Sequence, residues 1–61
     1  MSDPTFAEGQ RVYHRQFKWY GAYAGRDDLD RATSHVEFDN GEERRVTTAQ
    51  LVAADEIEEN N

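Results

Sequence analysis

The chain has 61 residues and no cysteine, which limits it to one small domain without disulfides. A domain of this size buries only about 60% of the surface that its unfolded chain exposes, which leaves little interior for a catalytic cleft. No apolar stretch approaches the roughly 20 residues of a membrane span, and the first residues lack the basic and then apolar order of a signal peptide. We therefore expect a cytoplasmic protein that is not an enzyme and does not enter a membrane.

Acidic residues dominate the charge of the chain. The 13 Asp and Glu exceed the 7 Lys and Arg, which gives a net charge of -6, and Lys18 is the only lysine. Such a surface repels itself at low ionic strength, but the Debye length falls to about 3 Å in 1 M salt, where this repulsion is screened. In this balance the sequence resembles the cytoplasmic proteins of haloarchaea. The alternative is an ordinary acidic domain that has few lysines by chance.

The predicted domain spans residues 6–54, which hold nearly all of the apolar side chains. Residues 1–5 predict a flexible N-terminal tail and residues 55–61 a disordered acidic tail, because neither segment can bury much apolar surface. Within the domain, alternation of side chains predicts strands over residues 10–14 and 32–38, and an aromatic-rich segment predicts another over 19–24. Residues 26–31 predict an irregular loop between strands.

Residues 39–41, with the sequence Asp-Asn-Gly, predict a hairpin turn. A two-residue Asn-Gly loop would set two carboxylates opposite each other and turn Val46 away from the apolar face of the hairpin. We therefore predict a three-residue loop with Gly41 in the left-handed conformation of a bulge. This register pairs Phe38 with Glu42 and Ser34 with Val46.

The remaining elements complete an all-β fold. Residues 47–50 suit one 3-10 turn near the C-terminus, and residues 51–53 suit a short closing strand. Four to five short antiparallel strands with one tight hairpin predict a small, strongly bent barrel of the SH3-like or Tudor-like type. An OB-like barrel is the alternative, although it usually needs more residues.

Several motifs carry a family resemblance. They are Gly9-x-x-Val12-x-His14-x-x-Phe17, then Gly21-x-Tyr23, then Val36-Glu37-Phe38-Asp39-Asn40-Gly41-Glu42 followed by Val46 and Leu51. They resemble the SH3-like and Tudor-like small barrels that are appended to DNA helicases and bacterial transcription factors. Lys18 stands where the family pattern has a glycine, and one additional residue separates Phe17 from Gly21. The family has an inward apolar residue at the position of Tyr23, so the resemblance implies that Trp19 and Tyr23 face the core.

Residues 9–25 contain no acid, yet they hold three of the seven cations and five of the seven aromatic residues. Residues 11–23 therefore predict an aromatic and basic binding face, whose candidate residues are Arg11, Tyr13, Arg15, Lys18, Trp19 and Tyr20. Our primary interpretation is a protein partner, with the chain itself a monomer or a weak homodimer. The alternative is single-stranded DNA or RNA whose bases stack on the rings in a high-salt cytoplasm. A structural interpretation competes with both, because Phe17, Trp19 and Tyr23 are the obvious residues to fill the interior. Alternation along the strands places Tyr13 and Tyr20 outside.

Other kinds of site have less support in the sequence. An aromatic cage around a methylated cation would have to recruit Tyr13, Trp19, Tyr20 and Phe38. His14 and His35 lie far apart, alternation places them on opposite faces of the strands, and no cysteine is present, so we predict no metal site. We expect His14 to be half-buried and bonded to a loop backbone, and His35 to lie on the open face.

Catalytic motifs are also missing from the sequence. Ser34 and His35 are neighbours in one predicted strand and therefore point to opposite faces. No glycine-rich phosphate loop is present, so we predict no cofactor. The carboxylate pair Asp27 and Asp28 is interpreted as solvated charge.

Overall fold

The structure is a computed structural model that describes residues 5–58. Its elements in chain order are β1 (Arg11–His14), β2 (Trp19–Arg26), β3 (Thr33–Phe38), β4 (Glu43–Thr47), a 3-10 turn (Thr48–Gln50), β5 (Leu51–Ala53) and α1 (Ala54–Glu58). The predicted all-β fold of short antiparallel strands with one 3-10 turn is confirmed. Neither helical element in the described range has the length and apolar character that a membrane crossing requires.

The five strands form one antiparallel sheet in the order β4-β3-β2-β1-β5. Strands β4 and β5 lie at opposite edges of this sheet, although only the 3-10 turn separates them in the chain. In a flat sheet with strands about 4.8 Å apart these edges would be roughly 19 Å from each other. Three residues of 3-10 helix rise only about 6 Å. The sheet must therefore curl strongly and bring its two edges toward each other.

The hairpin between β3 and β4 has the predicted three-residue loop. The backbone N–H of Phe38 donates to the carbonyl of Glu42 at 2.7 Å, and Ser34 pairs with Val46 in the register of the two strands. Gly41 has φ +91°, the left-handed conformation that glycine adopts without a steric penalty. The turn residues thus set which side chains of the hairpin face inward.

Alternation along the strands fills the concave side of the sheet. The buried apolar residues of the strands are Val12, Tyr23, Val36, Phe38, Val46 and Leu51, and the partly buried Phe6 and Trp19 pack against them. Gly21 lies between Trp19 and Tyr23 on this side, where a Cβ atom would come within 2.7 Å of the carbonyl oxygen of Glu37. The glycine therefore permits close contact between β2 and β3.

One buried polar contact connects the 3-10 turn to the sheet. The hydroxyl oxygens of Ser34 and Thr48 lie 2.5 Å apart, and both side chains are fully buried. The backbone N–H of Thr48 also donates to the carbonyl of Ala32 at 2.8 Å. These bonds satisfy the polar groups that the tight crossing from β4 to β5 would otherwise leave unpaired.

Two segments differ from their predicted extents. Strand β2 continues to Arg26, because its pairing with β3 shifts register between Tyr23 and Gly25 and the bulge there keeps the two strands together. At the other end, residues 54–58 form α1, although the sequence predicted a disordered tail from residue 55. Residues 1–4 and 59–61 of the two predicted tails lie outside the described residues.

Candidate functional site: a tyrosine face on the outer side of the sheet

Two tyrosines from neighbouring strands form a ring pair on the outer, convex side of the sheet. Tyr13 on β1 is directly opposite Tyr20 on β2, and their ring centroids lie 4.8 Å apart at an interplanar angle of 56°. Strand β5 pairs with the other edge of β1, and there Val52 is directly opposite Tyr13. The three side chains are only half-buried. Together with Arg11 they form what we call the tyrosine face.

An ion pair borders the tyrosine face. Two guanidinium nitrogens of Arg11 donate to the two carboxylate oxygens of Asp39, each at 2.6 Å. This bidentate contact lowers the pKa of Asp39 from its ordinary value of 3.8, mainly through the hydrogen bonds from Arg11. Arg11 is therefore locally neutralised by a carboxylate that the chain brings in from the β3–β4 hairpin. Sequence reasoning missed Asp39, because it is distant in the chain from the acid-free segment.

Trp19 points to the opposite side of the sheet from the two tyrosines. Its ring centroid lies 5.4 Å from that of Phe38 and 5.2 Å from that of Phe17. The guanidinium carbon of Arg44 lies 5.8 Å from the centre of the Trp19 ring and 5.9 Å from that of Phe17. We call these four side chains the aromatic rim.

The structure divides the residues of the predicted binding face between different parts of the surface. The six candidate residues do not share one surface: Arg11, Tyr13 and Tyr20 lie on the outer side, whereas Trp19 packs toward the core. The aromatic cage considered from the sequence does not form, because two of its four residues lie on each side of the sheet. Arg44 was missed, although Val46, two positions later on β4, was predicted to face inward and alternation puts both residues on the same side.

The other two predicted cations lie in the four-residue turn between β1 and β2. Arg15 is exposed, its backbone N–H donates to the carbonyl of Gln50 at 2.9 Å, and it lines a shallow groove together with Phe6 and Val52. Lys18 is also exposed and has φ +61°, a left-handed conformation. Since Val52 also belongs to the tyrosine face, Arg15 lies beside that face.

His14 connects this turn to the core. Its Nδ1 atom accepts a hydrogen bond from the backbone N–H of Phe17 at 3.0 Å, and the two rings stack with centroids 4.0 Å apart. The predicted bond to loop backbone is confirmed, but the side chain is only 2% exposed, so the prediction of half-burial was wrong. Burial lowers the pKa of His14 from its ordinary 6.5.

His35 lies on the outer side, opposite Arg45, and it contacts Asp27. Its Nε2 atom is 2.9 Å from Oδ1 of Asp27, while Oδ2 of Asp27 accepts backbone N–H bonds from Leu29 and Asp30. The bond to His35 is the main cause that lowers the pKa of Asp27 from 3.8. The interpretation of Asp27 as solvated charge was therefore wrong, because this carboxylate organises the β2–β3 loop.

The two histidines lie on opposite sides of the sheet, as the strand alternation predicted for their positions. Across residues 5–58 no group of three or more His, Asp or Glu side chains is arranged to hold a metal ion. Comparisons with models of protein families, with curated proteins and with solved structures found no match for this chain.

Proposed function

We propose that the protein is a non-enzymatic binding module that holds a protein partner on its tyrosine face. One observation carries the proposal: Tyr13 and Tyr20 present a packed ring pair on the outer side, while other residues of the same strands fill the core. Tyrosine combines a large apolar ring with a polar tip and loses little side-chain freedom on binding, which is why interfaces are enriched in it. Val52 extends this apolar surface across β5.

The charges around the tyrosine face favour a protein over a nucleic acid. Arg11 is already paired with Asp39, so the face offers a carboxylate as well as a guanidinium group. A net charge of -6 also opposes the approach of phosphates. Single-stranded DNA or RNA remains the competing ligand, because bases would stack on the same two rings.

We also propose that the sheet is an SH3-like or Tudor-like barrel and that it works in a high-salt cytoplasm of the haloarchaeal type. The motifs of the sequence, the strand order and the 3-10 turn that links the two edge strands support the first part. The excess of acids, with Lys18 as the only lysine, supports the second.

The proposed function is tested by affinity capture from a lysate of the source cells kept at high salt. The wild-type chain is compared with a Tyr13→Ser/Tyr20→Ser double variant, with and without nuclease treatment. We expect wild type to capture a discrete protein that the double variant loses and that nuclease does not release. With the identified protein, loss of either tyrosine should cost about 2 kcal/mol of binding free energy, as for an interface anchor.

A matched control uses Leu29, whose side chain is 98% exposed in the β2–β3 loop and lies off the tyrosine face. The Leu29→Ser variant loses an exposed apolar group and should bind like wild type. If nuclease treatment abolishes capture, the tyrosine face binds single-stranded DNA or RNA instead of a protein. Unchanged capture by the double variant would rule out the tyrosine face.

A further inference from the structure

Strand β4 is one edge of the sheet, and half of its backbone groups face away from β3. The N–H of Phe38 donates to the carbonyl of Glu42, so Glu42 and the residues two and four positions later direct their backbone groups at β3. Glu43, Arg45 and Thr47 then direct theirs outward. Within residues 5–58 the backbone groups of these three residues have no partner strand on that side. Such an edge is a template for another strand.

The outer face of the same strand carries two opposite charges, Glu43 and Arg45, each only weakly compensated by its neighbours. Glu43 is directly opposite Glu37 on β3, and like charges at opposite positions destabilise a strand pair. Among the described residues no Lys, Arg or His forms an ion pair with either carboxylate. Arg45, next on the same face, is 65% exposed, and its Nε atom lies 3.9 Å from Asp27, at the outer limit of an ion pair.

We propose that β4 pairs with β4 of a second copy of this chain to form a two-fold symmetric dimer. In the antiparallel register centred on Arg44, Glu43 of each copy is opposite Arg45 of the other. These are also the residues whose backbone N–H and C=O groups face the open edge, so one register satisfies the backbone and the charges together. Two-fold symmetry repeats each contact, which makes the edge complementary to itself.

The centre of this interface places the two Arg44 residues opposite each other. Each guanidinium group is neutralised within its own chain, because its Nη2 and Nε atoms lie 2.6 Å and 3.0 Å from Oε1 of Glu42. Each also lies against the rings of Phe17 and Trp19. The residues that form this interface, Glu43, Arg44 and Arg45, all lie on β4, and none of them belongs to the tyrosine face. This proposal is therefore independent of the proposed function.

Mixing two charge-reversal variants tests the dimer. Glu43→Arg sets arginine opposite Arg45 in a symmetric pair, and Arg45→Glu sets glutamate opposite Glu43. Each variant alone should dimerise at least about tenfold more weakly than wild type, because two opposite-charge pairs become two like-charge pairs. An equimolar mixture should recover association to within about threefold, because a heterodimer of the two variants restores both opposite-charge pairs.

Sedimentation equilibrium over about 10 µM to 1 mM protein, in about 0.2 M KCl, measures the average molar mass of wild type, of each variant and of the mixture. Circular dichroism first confirms that each variant is folded. Asp28→Arg is the matched control, because it makes the same charge change in the β2–β3 loop and should dimerise like wild type. A wild type that stays monomeric throughout would overturn the proposal, and so would a mixture that associates no better than its components.

Discussion

At the residue scale, His14 stabilises the β1–β2 turn only while its Nδ1 atom carries no proton. That atom accepts the N–H of Phe17. A protonated imidazole donates from both nitrogens and can no longer accept this bond. Protonation would also place a charge in a site that is 2% exposed. Acid should therefore loosen the turn and the aromatic rim that begins at Phe17.

The pH dependence of stability tests this role of His14. Burial lowers the pKa of the ring in the fold, so the unfolded chain takes up a proton at higher pH than the folded chain does. The stabilisation is complete above the unfolded pKa of about 6.5 and is lost as pH falls through the lower, folded pKa. We expect the thermal midpoint to fall between about pH 7 and pH 5 at constant KCl.

The control for this prediction is His14→Gln, which cannot titrate. It should be less stable than wild type near neutral pH, but its midpoint should change less over the same range. Asp27 and Asp39 contribute little there, because hydrogen bonds from His35 and Arg11 lower their pKa values and their stabilising effect is lost only in stronger acid. If the thermal midpoints of wild type and His14→Gln change in parallel with pH, His14 is not the titrating group.

At the scale of elements, two turns need a left-handed residue and meet this need differently. The β3–β4 hairpin has Gly41 at φ +91°, whereas the β1–β2 turn has Lys18 at φ +61°. A side chain in this region costs about 1–2 kcal/mol, because its Cβ crowds the following carbonyl oxygen. The second turn therefore carries strain at Lys18.

Substitutions at these two positions should change stability in opposite directions. Lys18→Gly should stabilise the fold by about 0.5–1 kcal/mol, since the relief of strain exceeds the added freedom of the unfolded chain. Gly41→Ala should destabilise it by about 1 kcal/mol through strain alone, because a Cβ at this position meets nothing within 4 Å. Urea unfolding of both variants measures the effects. A loss of stability in Lys18→Gly would show that the turn is not strained.

The hairpin explains how much of the fold was predictable. Gly41 set the predicted length of the loop, and alternation from there predicted which side chains of β3 and β4 face inward. The same rule predicted that Tyr13 and Tyr20 face outward. The β2 bulge was not predictable, because the register shift between Tyr23 and Gly25 depends on pairing with β3. For the site, the sequence identified the tyrosines, but it could not show that Asp39 neutralises Arg11 across the sheet.

At the scale of the whole molecule, net charge should make stability depend on salt. Raising KCl from about 0.1 M to about 2 M screens the repulsion among the carboxylates and should raise the thermal midpoint. For a domain of this size each kcal/mol of relief corresponds to roughly 4–8 °C. Circular dichroism at low protein concentration follows the transition. A flat or falling midpoint would indicate an ordinary acidic domain rather than one suited to a saline cytoplasm.

The matched variant for the salt experiment is Glu37→Gln. It removes one member of the like-charge pair with Glu43 and keeps the shape of the side chain. We expect it to be more stable than wild type in dilute KCl and nearly equal to it in concentrated KCl. An equal gain at both salt concentrations would mean that the effect is not electrostatic.

The strand order also predicts when the proposed binding surface is completed during folding. Strands β1 to β4 pair with their neighbours in sequence, whereas β5 must return to the far edge of β1. Contacts between distant parts of the chain form late, since the entropy of closing the long loop opposes them. Because Val52 reaches Tyr13 only through this last pairing, a nascent or partly unfolded chain does not display the whole tyrosine face. Recognition through that face would thus distinguish finished molecules from unfinished ones.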